Sequence, residues 1–230
     1  MFMLTLGFDT ATEIGTVGLV DGGEVLGEYT FQAGESQSEK LLSAIDLLLR
    51  ELEKKVTDVK KIAVSRGPGS FTGLRIGIST AKGLAHGLEV PLVGVPLTNC
   101  YLSRVNNYSG PVFTLIKDRR NLIYLAGFDD RGEKVIEERS TSIEKLEEVI
   151  IDTTESSKYP VLLVGDAVPG HREKLRQIDK VRLTKGSLNY PSGLELAMLG
   201  ESIEPEGNEL ASLEPLYAQR PIAEINWNDN

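Results

Sequence analysis

Residues 67–77 read Gly-Pro-Gly-Ser-Phe-Thr-Gly-Leu-Arg-Ile-Gly and join an apolar strand to an apolar helix. No other stretch restricts the fold as strongly. Pro68 fixes φ at about −65°, and the glycines beside it permit left-handed or crowded backbone. Ser70 or Thr72 is placed to cap the following helix, leaving N–H groups turned towards whatever lies above the turn. Such a turn suits one of two tasks: cradling an anion, or bringing two backbones close together. The residues alone leave both open.

The elements around this turn repeat. Leu4–Phe8 reads as a buried strand, and Thr16–Val20 and Val25–Phe31 flank Asp21-Gly22-Gly23 as a hairpin. A helix is expected from Ser36 to Glu53, then strand Ile62–Ser65, the glycine-rich turn, a helix to Leu88 and strand Val90–Val95. The second half gives strands Val112–Ile116, Leu122–Phe128 and Val135–Arg139, helix Ser142–Asp152, strand Val161–Val164, a short helix His171–Gln177 and strand Val181–Leu183. Asp9 and Asp118 close the first strand of each half at an offset of 109, which Gly23-Glu24 and Gly132-Glu133 share. Duplicated α/β lobes follow, one over residues 1–103 and one over 104–220, with a crevice between them and a fraying tail over 221–230.

The balance of charge narrows the function. The chain of 230 residues carries a formal net charge of −9, which repels phosphate backbones, so RNA is reached only through a partner. One cysteine, Cys100, excludes an internal disulfide framework and suits a reducing cytoplasm. No apolar run is long enough for a bilayer, and the start reads as a strand, so a cytoplasmic location without membrane contact is expected.

Two helices carry unusual faces. Leu41, Leu42, Ile45, Leu48, Leu49 and Leu52 form one apolar stripe, and spacing alone favours rest on the helix's own sheet. Gly73, Gly77, Ala81 and Ala85 follow at i+4 intervals as a ridge of small residues. A glycine in a helix costs about 1 kcal/mol relative to alanine, so close packing must offset it. The parent sheet and a subunit interface account for that ridge equally well.

Catalytic signals are sparse. Asp9-Thr10-Ala11-Thr12 suits a Mg²⁺-water and phosphate site, with Asp118 as its counterpart, and suits an Asx or ST turn equally. Gly165–Gly170 is the one candidate adenosine loop. His86 and His171 lack ligand spacing, so no protein-bound metal is expected, and Ser70 has no evident histidine partner. A small-molecule kinase or ATPase using Asp9 and Asp118 remains the rival reading, ahead of a glycoprotease-like enzyme.

The turn, together with Ala81-Lys82-Gly83-Leu84-Ala85, Val90–Val95, Asp9–Thr12, Asp118-Arg119-Arg120 with Tyr124, and Glu214–Tyr217, resembles the TsaB (YeaZ) family over nearly the whole chain. The resemblance implies an actin/Hsp70/sugar-kinase (ASKHA) fold of two ribonuclease H-like lobes. It implies a non-catalytic scaffold with no catalytic residues of its own, serving tRNA threonylcarbamoyladenosine (t6A) modification. Its implied partners are the paralogue TsaD, which holds the metal, and the ATPase TsaE, with a homodimer on similar surfaces. The implied interface lies on the two helices, at Leu41, Ile45, Leu48, Gly73, Gly77, Ala81 and Ala85. Asp9, Thr10, Thr12 and Asp118 are then a vestigial nucleotide site. No cofactor is expected to bind tightly, with ATP or ADP and Mg²⁺ confined to a partner interface. Many relatives have histidine where Gln37 stands, and glutamine there argues against a metal.

Overall fold

A computed structural model describes residues 3–34, 36–119, 122–154, 157–205 and 209–216; the expected tail from 221 lies outside these. Strands β1 (Leu4–Asp9), β2 (Ile14–Asp21) and β3 (Glu24–Gln32) form an antiparallel meander. The β2–β3 loop is Gly22-Gly23, both at positive φ (59° and 84°), as the tight two-residue hairpin turn requires. Helix α1 (Gln37–Glu51), β4 (Lys61–Ser65), α2 (Phe71–Leu88) and β5 (Leu92–Val95) complete the first lobe. Its sheet order is β3-β2-β1-β4-β5, with β4 and β5 parallel to β1.

The second lobe repeats this plan. Strands β6 (Val112–Lys117), β7 (Leu122–Phe128), β8 (Lys134–Ser142), β9 (Val161–Val164) and β10 (Val181–Leu183) order as β10-β9-β6-β7-β8. Helices α4 (Leu146–Thr154) and α5 (Ala167–Leu175) fill the connections. Two sheets of the same order, each with three antiparallel and two parallel strands, are the paired ribonuclease H-like lobes of the ASKHA architecture. No helix among the described residues is long and apolar enough to cross a membrane.

Two helices tie the lobes together. Helix α3 (Leu97–Ser103), absent from the sequence reading, buries Leu97, Cys100 and Tyr101 at one-turn spacing between the lobes, in a cluster with Ile116, Leu162 and Leu196. Helix α6 (Gly193–Ser202) belongs by sequence to the second half, yet it packs on the first sheet; α7 (Glu209–Ser212) follows it. A methyl added at Gly7 or Gly18 would overlap the α6 backbone, so these glycines are what allow the helix so close. Glu28 accepts from Ser192 Oγ at 2.8 Å and Gly193 N at 2.6 Å, capping α6 from β3. Lys61 Nζ donates to Glu201 O and Ile203 O at the other end, at 3.3 and 2.5 Å.

Candidate functional site

Between the lobes lies a crevice of about 750 Å³. The turn after β1 (Ala11–Glu13) forms its floor. Gln37 and Gly69–Phe71 with Leu74 line one side, and Lys117–Arg119, Tyr124 and Asp166 line the other. Lys117 Nζ reaches across to Glu13 at 2.6 Å. Helix α2 begins at this crevice with Ser70 as its cap, its Oγ accepting from Gly73 N at 3.2 Å.

The glycine-rich turn serves close packing. Added methyls at Gly69 and Gly77 would come to 2.6 Å from Ala11 O and 2.5 Å from Thr10 Oγ1, and one at Gly73 would overlap Thr10 O. Thr10 Oγ1 in turn donates to Gly73 O at 2.7 Å. The inner flank of α2 is therefore fitted to the turn after β1.

The expected interface residues lie on the inner sides of these helices. Leu41, Ile45 and Leu48 face the chain's own first sheet, and Gly73, Gly77, Ala81 and Ala85 are buried beneath α2 against β1 and β4. All seven are buried within the chain. Helical spacing shows that residues share a side; it does not show what covers that side. The solvent sides of the same helices carry Leu42 (49% exposed), Leu47 (40%) and Phe71 (50%), with Arg75 stacked 3.9 Å over the Phe71 ring. Ser79, Gly83 and Gly87 continue along the outer side of α2, and among the described residues nothing lies within 4 Å of a methyl built at Gly83 or Gly87.

Of the four residues of the expected nucleotide site, Thr12 and Asp118 line the crevice and Asp9 and Thr10 do not. Asp9 is sealed below the crevice, its Oδ2 accepting from Ala11 N at 3.1 Å and its Oδ1 without a partner among the described residues. Burial pushes its carboxyl up to about 6, against the opposing bond from Ser65. Thr10 and Thr12 have already donated their hydroxyl protons, Thr12 to Ile14 O at 2.8 Å. Asp118 follows β6 and does not end it. Its carboxylate is held by Arg119 N and Ser140 Oγ, each at 2.7 Å. Burial, reinforced by Asp118, pushes the Tyr124 phenol up to about 12.

The second-lobe acid nearest in role to Asp9 is Asp166, which the sequence reading treated only as part of a loop. It is 3% exposed, its Oδ1 accepts from Lys117 N at 2.8 Å, and burial pushes it up to about 6, helped by Asp9. Its place just past parallel strand β9, where α/β sheets gather ligand residues, is the signal that pointed to it. Gly165 has φ +127°, and an added methyl there would overlap Leu115 O, so it serves packing of α5 on β6. Residues 167–170 lie in α5 itself, not in an open adenosine loop.

The metal that the resemblance assigns to TsaD proteins does not fit these residues. No three His, Cys, Asp or Glu side chains cluster among the described residues. Gln37 donates its Nε2 to Thr10 O at 2.8 Å, and an amide nitrogen so used is not a metal ligand.

Comparison with known proteins bears on this geometry. Residues 31–227 match the family model "TsaD: tRNA N6-adenosine threonylcarbamoyltransferase". The tRNA threonylcarbamoyladenosine biosynthesis protein TsaB of Bacillus subtilis (strain 168) is 27% identical over 98% of both chains, and that of Escherichia coli (strain K12) is 27% identical over 96% of both. The structure of YeaZ from Pseudomonas aeruginosa superposes with a TM-score of 0.72 at 24% identity, over 94% of this chain and 99% of that one.

Proposed function

The chain belongs to the TsaD family, within its TsaB (YeaZ) branch, and from that premise we propose that it acts in t6A biosynthesis as a non-catalytic scaffold that binds and activates TsaD. The observation that carries this reading is the outer flank of α2. Two helical glycines there, Gly83 and Gly87, have nothing within 4 Å of an added methyl among the described residues. Each costs about 1 kcal/mol relative to alanine, and no internal packing offsets that cost. Elsewhere on the solvent sides of the two helices stand Leu42 and Leu47 of α1 and, at the start of α2, the Phe71–Arg75 stack. A thin helical flank, on a surface that also offers apolar side chains and an arginine, suits a second helix pair packing closely.

On this reading TsaD supplies the metal and the chemistry, TsaE joins the assembled pair, and tRNA is held by the complex and not by this acidic chain. A homodimer uses the same flank and competes with TsaD. The isolated chain binds no nucleotide tightly, and any ATP or ADP with Mg²⁺ sits where the partner joins. The rival kinase reading requires free phosphate-facing donors at Thr10 and Thr12, which their local bonds oppose.

Replacing Gly83 with leucine tests the proposal, because the position is open and the fold should tolerate the change. Co-purification with a TsaD homologue should be lost and the thermal midpoint kept. Undiminished pairing would remove the flank from the interface. Calorimetry of the isolated wild-type chain with ATP and Mg²⁺ separates the rival: tight binding there would favour the kinase.

A further inference from the structure

We propose that one end of the second sheet, where Lys158, Tyr159, Lys180 and Arg182 gather beside Tyr108, is a contact for the phosphate backbone and an unpaired base of RNA. The proposal rests on the reading that the chain joins a tRNA-modifying complex. It gives the chain a direct share in holding the RNA once that complex has formed. Seven cations and three acids fall between Lys158 and Lys185, in a chain whose formal net charge is −9. One of those acids, Asp166, is buried at the crevice. This stretch therefore reverses the sign of the molecule's field locally.

Strand pairing brings these residues together. Lys180 O accepts from Val161 N at 2.8 Å, and Arg182 stands in register with Leu162. Val181 and Leu183 pack into the second-lobe core, so Arg182 between them points to the other face. There its charge acts on the Tyr108 phenol. The Tyr108 hydroxyl donates to Pro160 O at 2.6 Å. A methyl added at Gly110 would come to 2.6 Å from Tyr159 Cβ and 2.8 Å from Tyr108 Cε1, so one glycine seats both tyrosines. Lys158, Lys180 and Arg182 are exposed, and their side chains make no hydrogen bond or ion pair among the described residues. The cations of α5 are engaged instead: Arg172 with Thr184 O, Lys174 with Glu144 and Arg176 with Glu173. Exposed Asp179 offsets one charge of the three. An edge strand such as β10 uses cations to discourage pairing with another strand. That task needs neither Lys158, which lies outside the strand, nor Tyr159, 50% exposed among cations. Unpaired cations for phosphates beside an open aromatic face for a base are what flexible RNA requires. An acidic polypeptide would leave the tyrosine face unused.

An unmodified tRNA transcript, titrated by fluorescence anisotropy into the assembled pair of this chain and a TsaD homologue, tests the contact. Lys158→Glu, Lys180→Glu and Arg182→Glu together should weaken binding roughly tenfold at about 0.1 M salt and reduce the salt slope by about 0.7 per lost contact. Tyr159→Ala should weaken binding several-fold and leave the slope unchanged. All four positions lie on the second lobe, away from the outer flank of α2, so co-purification with the TsaD homologue should be kept. A short oligouridylate with the isolated chain at low salt examines the same surface without a partner: weak binding is expected, and the triple variant should lose it. Failure of the pair to assemble would sink the proposed function, and the oligouridylate would still decide this contact. Three results would overturn the contact. The first is unchanged affinity and slope in the triple variant. The second is an equal loss on reversing Lys54, Lys55 and Lys60 of the first lobe, which would reduce the effect to net charge. The third is polyglutamate binding as tightly as oligouridylate with Tyr159→Ala silent, which would make an acidic polypeptide the occupant.

Discussion

Gly73 and Gly77, on the inner flank of α2, sit where an added methyl would overlap Thr10, whereas Gly83 and Gly87, further along the same helix, face open space. Both pairs weaken the helix intrinsically by the same amount. The first pair is compensated inside the chain, because each missing side chain lets α2 settle on the turn after β1 and lets Gly73 O accept the Thr10 hydroxyl. The second pair is not compensated by anything among the described residues. Identical residues on one element thus answer to different constraints, one set by folding and one, on the proposed reading, by association. The difference is visible only once each flank has a neighbour or lacks one.

The largest effect that separates the flanks is expected on the inner side. Gly73→Ala drives a methyl into the Thr10 carbonyl, a backbone atom that cannot rotate away. Overpacking of this kind costs about 3 kcal/mol, which lowers the thermal midpoint by about 10 °C in a chain of this size. A melting curve unchanged from wild type would mean that the inner flank is as tolerant as the outer one, and the comparison would collapse.

A second test loosens the turn on which the inner flank rests. Asp9, at the start of that turn, and Asp166 across the crevice are both pushed up to about 6 by burial, from an ordinary value of 3.8. A carboxyl raised in the folded state is no burden while protonated and opposes folding once ionised. Stability should therefore fall as pH rises from about 4 to about 6, and stay lower above that window, by roughly 3 kcal/mol per carboxyl at most. The two acids influence one another, so they titrate as a pair. Denaturant unfolding across that range, repeated with Asp9→Asn and Asp166→Asn together, should show the slope in wild type and a flatter profile in the double variant. Equal slopes would mean that neither carboxyl is desolvated as its burial indicates.

Much of this could be read from the residues. The Ser70 cap, the glycine hairpin at 22–23 and the repeated strand order all follow from local rules that act over a few residues. Helix α3 escaped because seven residues give too short a period to recognise, and its burial depends on both lobes being present. Asp118 was preferred to Asp166 because strand ends were matched by offset. Desolvation of Asp166 instead arises from the approach of α5 to β6, which Gly165 permits. The small-residue ridge was legible as a ridge, but whether a sheet or a stranger covers it is a tertiary fact. Helical glycine cost marks Gly73 and Gly77 as it marks Gly83 and Gly87, and only the first pair meets its neighbours inside the chain among the described residues.

The finest test acts on the outer pair and reverses the sign. Gly83→Ala adds a methyl that meets nothing within 4 Å in the isolated chain, while it removes the backbone entropy of a helical glycine. The variant should gain about 0.5–1 kcal/mol in unfolding free energy, a rise of about 2–4 °C in melting temperature. If the outer flank is thin because another helix approaches it, the same methyl should weaken pairing with a TsaD homologue, measurable as a faster off-rate by surface resonance. A stabilised chain that pairs less well is the signature of a residue kept for association against the interest of the fold. A stabilised chain that pairs as before would leave Gly83 without a task, and the outer flank would then differ from the inner one only in lacking a cover.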